Sequence, residues 1–312
     1  DFFGTIKGTP AFYSAGREGA LFMFKASGSF RRVAAIHDIS GFGRCSLTVI
    51  IPTLSAMGVQ VCPVPTAVLS THTGGLGDVA MRDLTDYILP ALSHYKTLGL
   101  TFDAVYTGFL GSQTQIGHCL EYFRAFPDAL KVVDPVMGDH GKAYRTCGKE
   151  LQAGMTQLVS AADIITPNLT EACILLKQNY EFNSLTHSQA KSMLARLSEL
   201  GPSKVIITGV QLATGEMANI GYDRDGGAYW YVPCDYVPVS YPGTGDIYAS
   251  VLVGSLLTGD SLSMAMGRAT SFVELAIKTT FSYGTDPRYG VMLESALPWL
   301  THKEIIKNFE ML

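Results

Sequence analysis

From Arg31 onward the chain alternates between short apolar runs and longer stretches in which apolar residues return every three or four positions. Residues 33–37, 59–64, 103–107, 131–134, 163–166 and 204–208 have the length and apolar character of buried strands. Between them, residues 47–57, 80–97, 113–125, 149–160, 170–178 and 187–200 carry the helical period. Residues 217–223 and 228–232, separated by a turn ending in Gly226-Gly227, predict a β-hairpin. Strand and helix in alternation predict an α/β fold of three layers, a mostly parallel central sheet with helices on both faces. Such a sheet places ligands beyond the carboxyl ends of its strands. There the chain keeps its polar residues: His37-Asp38, Thr107-Gly108, Asp134-Pro135, Thr166-Pro167-Asn168 and Thr208-Gly209.

Residues 1–30 show neither a clean period nor a basic segment leading into an apolar one, so they read as an N-terminal extension rather than a signal peptide. Residues 31–312 read as a single domain. Hydrophobic residues make up 47% of the chain, but no apolar run reaches the ~18 residues of a spanning helix, so the hydrophobicity belongs to a core. A net charge of −4 without basic blocks leaves no electrostatic footprint for nucleic acid. Six cysteines without a C-x-x-C pair fit a reduced, cytoplasmic protein better than a disulfide scaffold or zinc site.

Five segments hold candidate chemistry. The run Tyr241-Pro242-Gly243-Thr244-Gly245-Asp246 leads into an apolar stretch, so a glycine turn opens a buried helix with an acid at its mouth. Glycines admit an anion close to backbone N–H groups, and a helix start adds roughly half a positive charge. Taken alone, Asp246 reads first as an acid complementing the helix dipole. The stretch Asp134-Pro135-Val136-Met137-Gly138-Asp139 offers two carboxylates that can share a hydrated magnesium, or a solvated turn. Thr166-Pro167-Asn168, followed by Glu171 in the next helix, adds a second polar strand end. In Ser70-Thr71-His72-Thr73-Gly74, spacing alone does not make His72 a base. The loop Asp38-Ile39-Ser40-Gly41-Phe42-Gly43-Arg44-Cys45-Ser46 is not a dinucleotide fingerprint, because Ser46 stands where the third glycine belongs and no acid follows at the ribose position.

These segments, in their order along the chain over residues 31–282, resemble the ribokinase-like superfamily, specifically its vitamin kinases, pyridoxal kinase and hydroxymethylpyrimidine kinase. The resemblance implies ATP-dependent phosphorylation of the hydroxymethyl group of a B6 vitamer. It makes Asp246 the general base and Gly243, Thr244 and Gly245 an anion hole. Asn168, Glu171, Thr208 and Thr244 would contact ATP, and Asp134, Asp139 and Glu171 would organise Mg2+, with a monovalent cation a further candidate. Asp38, Ser40, Thr73 and Phe109 would line the vitamin pocket with Asp246, Cys45 being a weaker candidate. Residues 138–144 are expected to close over the site, and a homodimer is implied. The S-x-H-T-G stretch and Phe109 are similar to pyridoxal kinase, whereas the D-x-S-G pattern at Asp38 is similar to hydroxymethylpyrimidine kinase, whose thiamine-precursor alcohol is the rival substrate. A non-catalytic B6-binding protein is the rival from another class, and a pure binder needs neither Asp246 nor the paired acids.

Overall fold

The computed structural model describes residues 30–312 except 181–183, 236 and 302–307. The expected extension over residues 1–30 lies, apart from Phe30, outside the described residues. In chain order the elements are β1 (Arg32–Phe42), α1 (Leu47–Ala56), β2 (Gln60–Thr71), β3 (Met81–Asp83), α2 (Thr85–Thr97), β4 (Ala104–Thr107), α3 (Gln113–Ala125) and β5 (Leu130–Val133). Next come β6 (Gly138–Asp139), β7 (Lys142–Ala143), α4 (Lys149–Ser160), β8 (Ile164–Ile165), α5 (Leu169–Leu175), α6 (His187–Glu199) and β9 (Lys204–Gln211). β10 (Met217–Asp223), β11 (Ala228–Cys234), α7 (Thr244–Leu257), α8 (Leu262–Tyr283), a 3-10 turn (Pro287–Tyr289), α9 (Leu293–Ala296), a second 3-10 turn (Leu297–Thr301) and β12 (Glu310–Met311) complete the series.

The main sheet has the order β12-β11-β10-β9-β8-β5-β4-β1-β2-β3. Its centre, from β9 to β2, is parallel, and antiparallel strands flank it on both sides. The period of two along each strand divides the core. Ala34 and Ile36 of β1 pack with α2 to α6 on one face, and Val33 and Ala35 pack with α1, α7 and α8 on the other. These two apolar layers account for the mostly parallel, three-layer arrangement expected from the sequence.

Three boundaries differ from the sequence reading. β1 runs on through the supposed glycine loop to Phe42, because β2 continues beside it as far as Thr71. The prolines Pro63 and Pro65 sit in β2 before it meets β3 at Ala67, where one side of the strand has no ladder to lose. The helix expected over residues 80–97 begins only at Thr85, since Met81–Asp83 pairs with β2.

α7 carries the deepest burial: every residue from Ile247 to Ser255 is buried. A helix apolar on all sides belongs between layers, here between the sheet and α1 and α8. Leu252→Ala is therefore expected to lower unfolding free energy by about 2–5 kcal/mol. Urea denaturation checks this as a lower midpoint at unchanged slope.

Candidate active site

The parallel strands end on one side of the sheet, bringing Asp38, Asp134, Thr166 and Thr208 to a common rim with the start of α7. Gly243, the residue before that helix, has φ 81°, and a Cβ there would overlap the Arg44 carbonyl. Glycine is thus required twice, for the left-handed backbone and for the close approach. The approach places Asp246 under the Ser46 amide, which donates to its carboxylate at 2.8 Å. Desolvation raises the Asp246 carboxyl to about 7, with the nearby Asp38 charge pushing the same way and the Ser46 N–H opposing both. The first-turn N–H groups of α7 have no partner within the helix and remain available for an anion.

Two cavities meet at this point. The larger, about 490 Å³, is lined by Asp134, Asp139, Asn168, Glu171, Thr208 and the Gly243–Asp246 turn, among others. The smaller, about 220 Å³, contains Asp38, Ser40, Cys45, Thr73 and Phe109. Val136, Tyr144, Pro242, Gly243 and Asp246 belong to both. All the residues expected on the nucleotide and metal side therefore lie in one cavity, all those expected around the acceptor lie in the other, and Asp246 stands between.

The detailed geometry departs from several expectations. Asn168 and Glu171 form a capping box on α5: Asn168 Oδ1 accepts from the Glu171 amide at 2.9 Å, and Glu171 Oε2 accepts from the Asn168 amide at 2.9 Å. Glu171 Oε1 also accepts from the Met137 amide at 3.0 Å, and Asn168 Nδ2 donates to the Gly138 carbonyl at 2.8 Å. Both side chains thus hold α5 against the strand-end turn as well as lining the cavity. Thr244 Oγ1 donates to the Tyr241 carbonyl at 3.0 Å, so its backbone N–H is the group left for an anion. The trio Asp134, Asp139 and Glu171 shares a cavity but does not converge: among the described residues no three acids, imidazoles or thiols form a ready-made metal cluster. Glu171 is turned to backbone donors, and Asp139 accepts from the His140 amide at 2.7 Å.

Asp134 is buried, and its carboxylate accepts no hydrogen bond among the described residues. Burial first, then the Glu171 and Asp246 charges, push its carboxyl well above the usual range, and burial raises Glu171 as well. A donor-poor, desolvated carboxylate beside two more acids suits a cation that keeps part of its water.

On the acceptor side, Asp38 accepts from Ser46 Oγ at 2.5 Å and from Ser40 Oγ at 3.0 Å; burial raises its carboxyl and the two hydroxyls oppose the rise. Sequence reasoning counted Ser46 only as a missing glycine. Its amide serves Asp246 and its hydroxyl serves Asp38, through a backbone at φ 51° that no residue pattern announced. Cys45, its thiol pushed up to about 12 by burial, is a poor nucleophile. His37, grouped with the strand-end polar residues, is a core residue packed edge-on to Tyr106 at 4.3 Å. The segment expected to close over the site is the small β6–β7 hairpin, whose Gly141 amide is tied to Thr170 Oγ1 at 2.9 Å.

An anion-binding helix mouth beside an acceptor-sized cavity, on the rim of a parallel sheet, is the arrangement of a small-molecule kinase. A family model described as phosphomethylpyrimidine kinase matches residues 51–290, and the chain belongs to this family. It is similar to a phosphomethylpyrimidine-kinase-like protein of Bacteroides thetaiotaomicron VPI-5482 solved with pyridoxal: 45% identity, TM-score 0.86, covering 91% of this chain and 100% of that one. Pyridoxal kinase from Lactobacillus plantarum shares 32% identity at TM-score 0.81, over 87% of this chain and 97% of that one. Pyridoxal kinase PdxY of Rubrobacter xylanophilus is 26% identical over 270 residues, 83% of this chain and 91% of the relative.

The capping box makes a structural prediction. In Glu171→Gln one acceptor oxygen becomes an amide facing a backbone N–H, so unfolding free energy should fall by about 1–3 kcal/mol. Chemical denaturation without nucleotide or metal checks it; an unchanged midpoint would return Glu171 to a purely ligand-facing role.

Proposed function

We propose that the protein transfers the γ-phosphoryl group of ATP to the 5'-hydroxymethyl group of a B6 vitamer: pyridoxal, pyridoxamine or pyridoxine. The observation that carries this reading is the wall shared by the two cavities: Gly243 and Asp246 line both, while Thr244 and Gly245 line the larger one. Asp246 accepts the hydroxyl proton as the oxygen attacks phosphorus, a role worth roughly 10²–10⁴-fold in rate. The N–H groups of Thr244, Gly245 and Asp246 hold the transferring group while its charge spreads over the oxygens. Asp38, Ser40, Thr73 and Phe109 orient the ring in the smaller cavity.

Mg2+, when bound, would offset the charge of the ATP phosphates. Asp134 and Asp139 are the acids that would hold it, directly or through water, with Glu171 behind them. A monovalent cation is a further candidate in the larger cavity, where Thr166 Oγ1 is buried without a hydrogen-bond partner among the described residues. A homodimer and a cytoplasmic setting complete the reading and rest on family membership. Among the described residues no helix is long and apolar enough to cross a membrane.

The two readings of the D-x-S-G segment are separated by turnover of pyridoxal and of 4-amino-5-hydroxymethyl-2-methylpyrimidine side by side, and the proposal expects the pyridine alcohol to be preferred. Asp246→Asn keeps the shape and removes the base, so the rate should fall at least about 100-fold. In the parent, kcat/KM should rise with pH through about 7, as Asp246 loses its proton, and the variant should lack that limb. The sign for stability is opposite. A carboxyl whose folded value lies above its unfolded one of 3.8 contributes stability that is lost as pH rises towards 7. Asp246→Asn should therefore melt at or above the parent at pH 8, and equal turnover by parent and variant would remove Asp246 as the base.

A further inference from the structure

The last motif quoted for the family resemblance ends at Asp246, yet residues far beyond it brace the acceptor cavity from behind. The 3-10 turn Pro287–Tyr289 touches both segments that form this wall. The Arg288 carbonyl lies 2.6 Å from His72 Nε2, and the Arg288 guanidinium donates to the Gly75 carbonyl at 3.2 Å. Asp286 holds that guanidinium at 2.5 Å and accepts from the Arg288 amide at 3.0 Å. One residue on, the Tyr289 carbonyl accepts from the Arg44 amide at 3.3 Å, and its ring meets Phe42 edge-on at 5.0 Å. Arg44 also pairs with Glu294 at 2.9 Å, and the Met292 amide donates to Thr280 Oγ1 at 2.7 Å, which fastens the segment to α8.

These contacts converge on His72, which is buried and lines the smaller cavity. Its Nδ1 accepts from the Gly74 amide at 3.0 Å, so its proton sits on Nε2 and is donated to the Arg288 carbonyl. The ring also fills the space that any side chain at Gly43 would need. An imidazole held at both nitrogens and against a glycine fixes Thr73 and Gly74 on one side and the Gly43–Ser46 segment on the other. This gives His72 a defined task that is not base catalysis.

We infer that the Asp286–Gly290 turn is a positioning element of the acceptor site, acting through His72 on Thr73 and through Arg44 on the segment that carries Ser46. The inference rests on the acceptor reading given above and deepens it: acceptor affinity is set by residues that do not touch the acceptor. Losing the turn's grip separates the two substrates, because the larger cavity does not include His72, Thr73 or Gly74.

Arg288→Ala tests it with steady-state kinetics on the full chain. KM for pyridoxal should rise about three- to tenfold, the range expected for one ordinary hydrogen bond, while KM for ATP and kcat at saturation stay within about twofold. His72→Gln keeps one acceptor and one donor and should retain most acceptor affinity, whereas His72→Leu should not. An unchanged pyridoxal KM in Arg288→Ala, an equal rise in ATP KM, or equal behaviour of the Gln and Leu variants overturns the inference. Hydrogen exchange at the Gly74 and Arg44 amides, measured without substrate, should speed up in Arg288→Ala. Unchanged exchange there overturns the grip by itself. If the parent does not turn over pyridoxal at all, the acceptor reading fails while the exchange result still decides the coupling.

Discussion

The contact on which the site depends is one of backbone against backbone, Gly243 lying on Arg44 and Cys45. No side chain can be inserted there, so the start of α7 is held at a fixed depth against the end of β1. That depth brings the Ser46 amide to Asp246 and makes one wall of two cavities. Every functional residue named above is placed relative to that wall. Thr244 and Gly245 belong to the larger cavity, and Asp38, Ser40, Thr73 and Phe109 to the smaller.

The second constraint is charge. Asp38, Asp134, Glu171 and Asp246 are placed where burial raises all four carboxyls, and neighbouring acids add to the rise at Asp134, Glu171 and Asp246. Their partners are chiefly backbone amides and hydroxyls rather than basic side chains, so the arrangement is costly without ligand. Cations arriving with a nucleotide would relieve the strain, giving binding a source of free energy beyond direct contacts. The same feature opposes stability, as is common where function requires buried charge.

Much of this was legible in the residues. Alternating apolar runs gave the layers, since β1 alone shows the two-residue period that divides the core. The three motif segments named residues that the structure brings to the cavities at the sheet's rim, because strand ends of a parallel sheet must converge. What escaped was set by pairing and by backbone. β1 ran past its glycines because β2 continued beside it, and β3 took the first residues of a supposed helix because a neighbouring strand had free hydrogen-bonding groups. The Asn168 and Glu171 cap could have been read from the N-x-x-E spacing, which is a helix-start signal as much as a ligand motif. Ser46 could not, because its role depends on a positive φ in a residue that rarely adopts one.

The sequence separations within the acceptor wall bear on how the molecule comes into being. Ser46 meets Asp246 across 200 positions, His72 meets Arg288 across 216 and Arg44 meets Glu294 across 250. Contacts of such span carry a large loop-closure cost and form after local structure. During synthesis, β1, α1 and β2 therefore emerge and pair long before the chain can complete a pocket between them. The cluster of buried acids is not assembled until α7 docks, so the growing chain is spared its most unfavourable electrostatics until the apolar faces that outweigh it are in place.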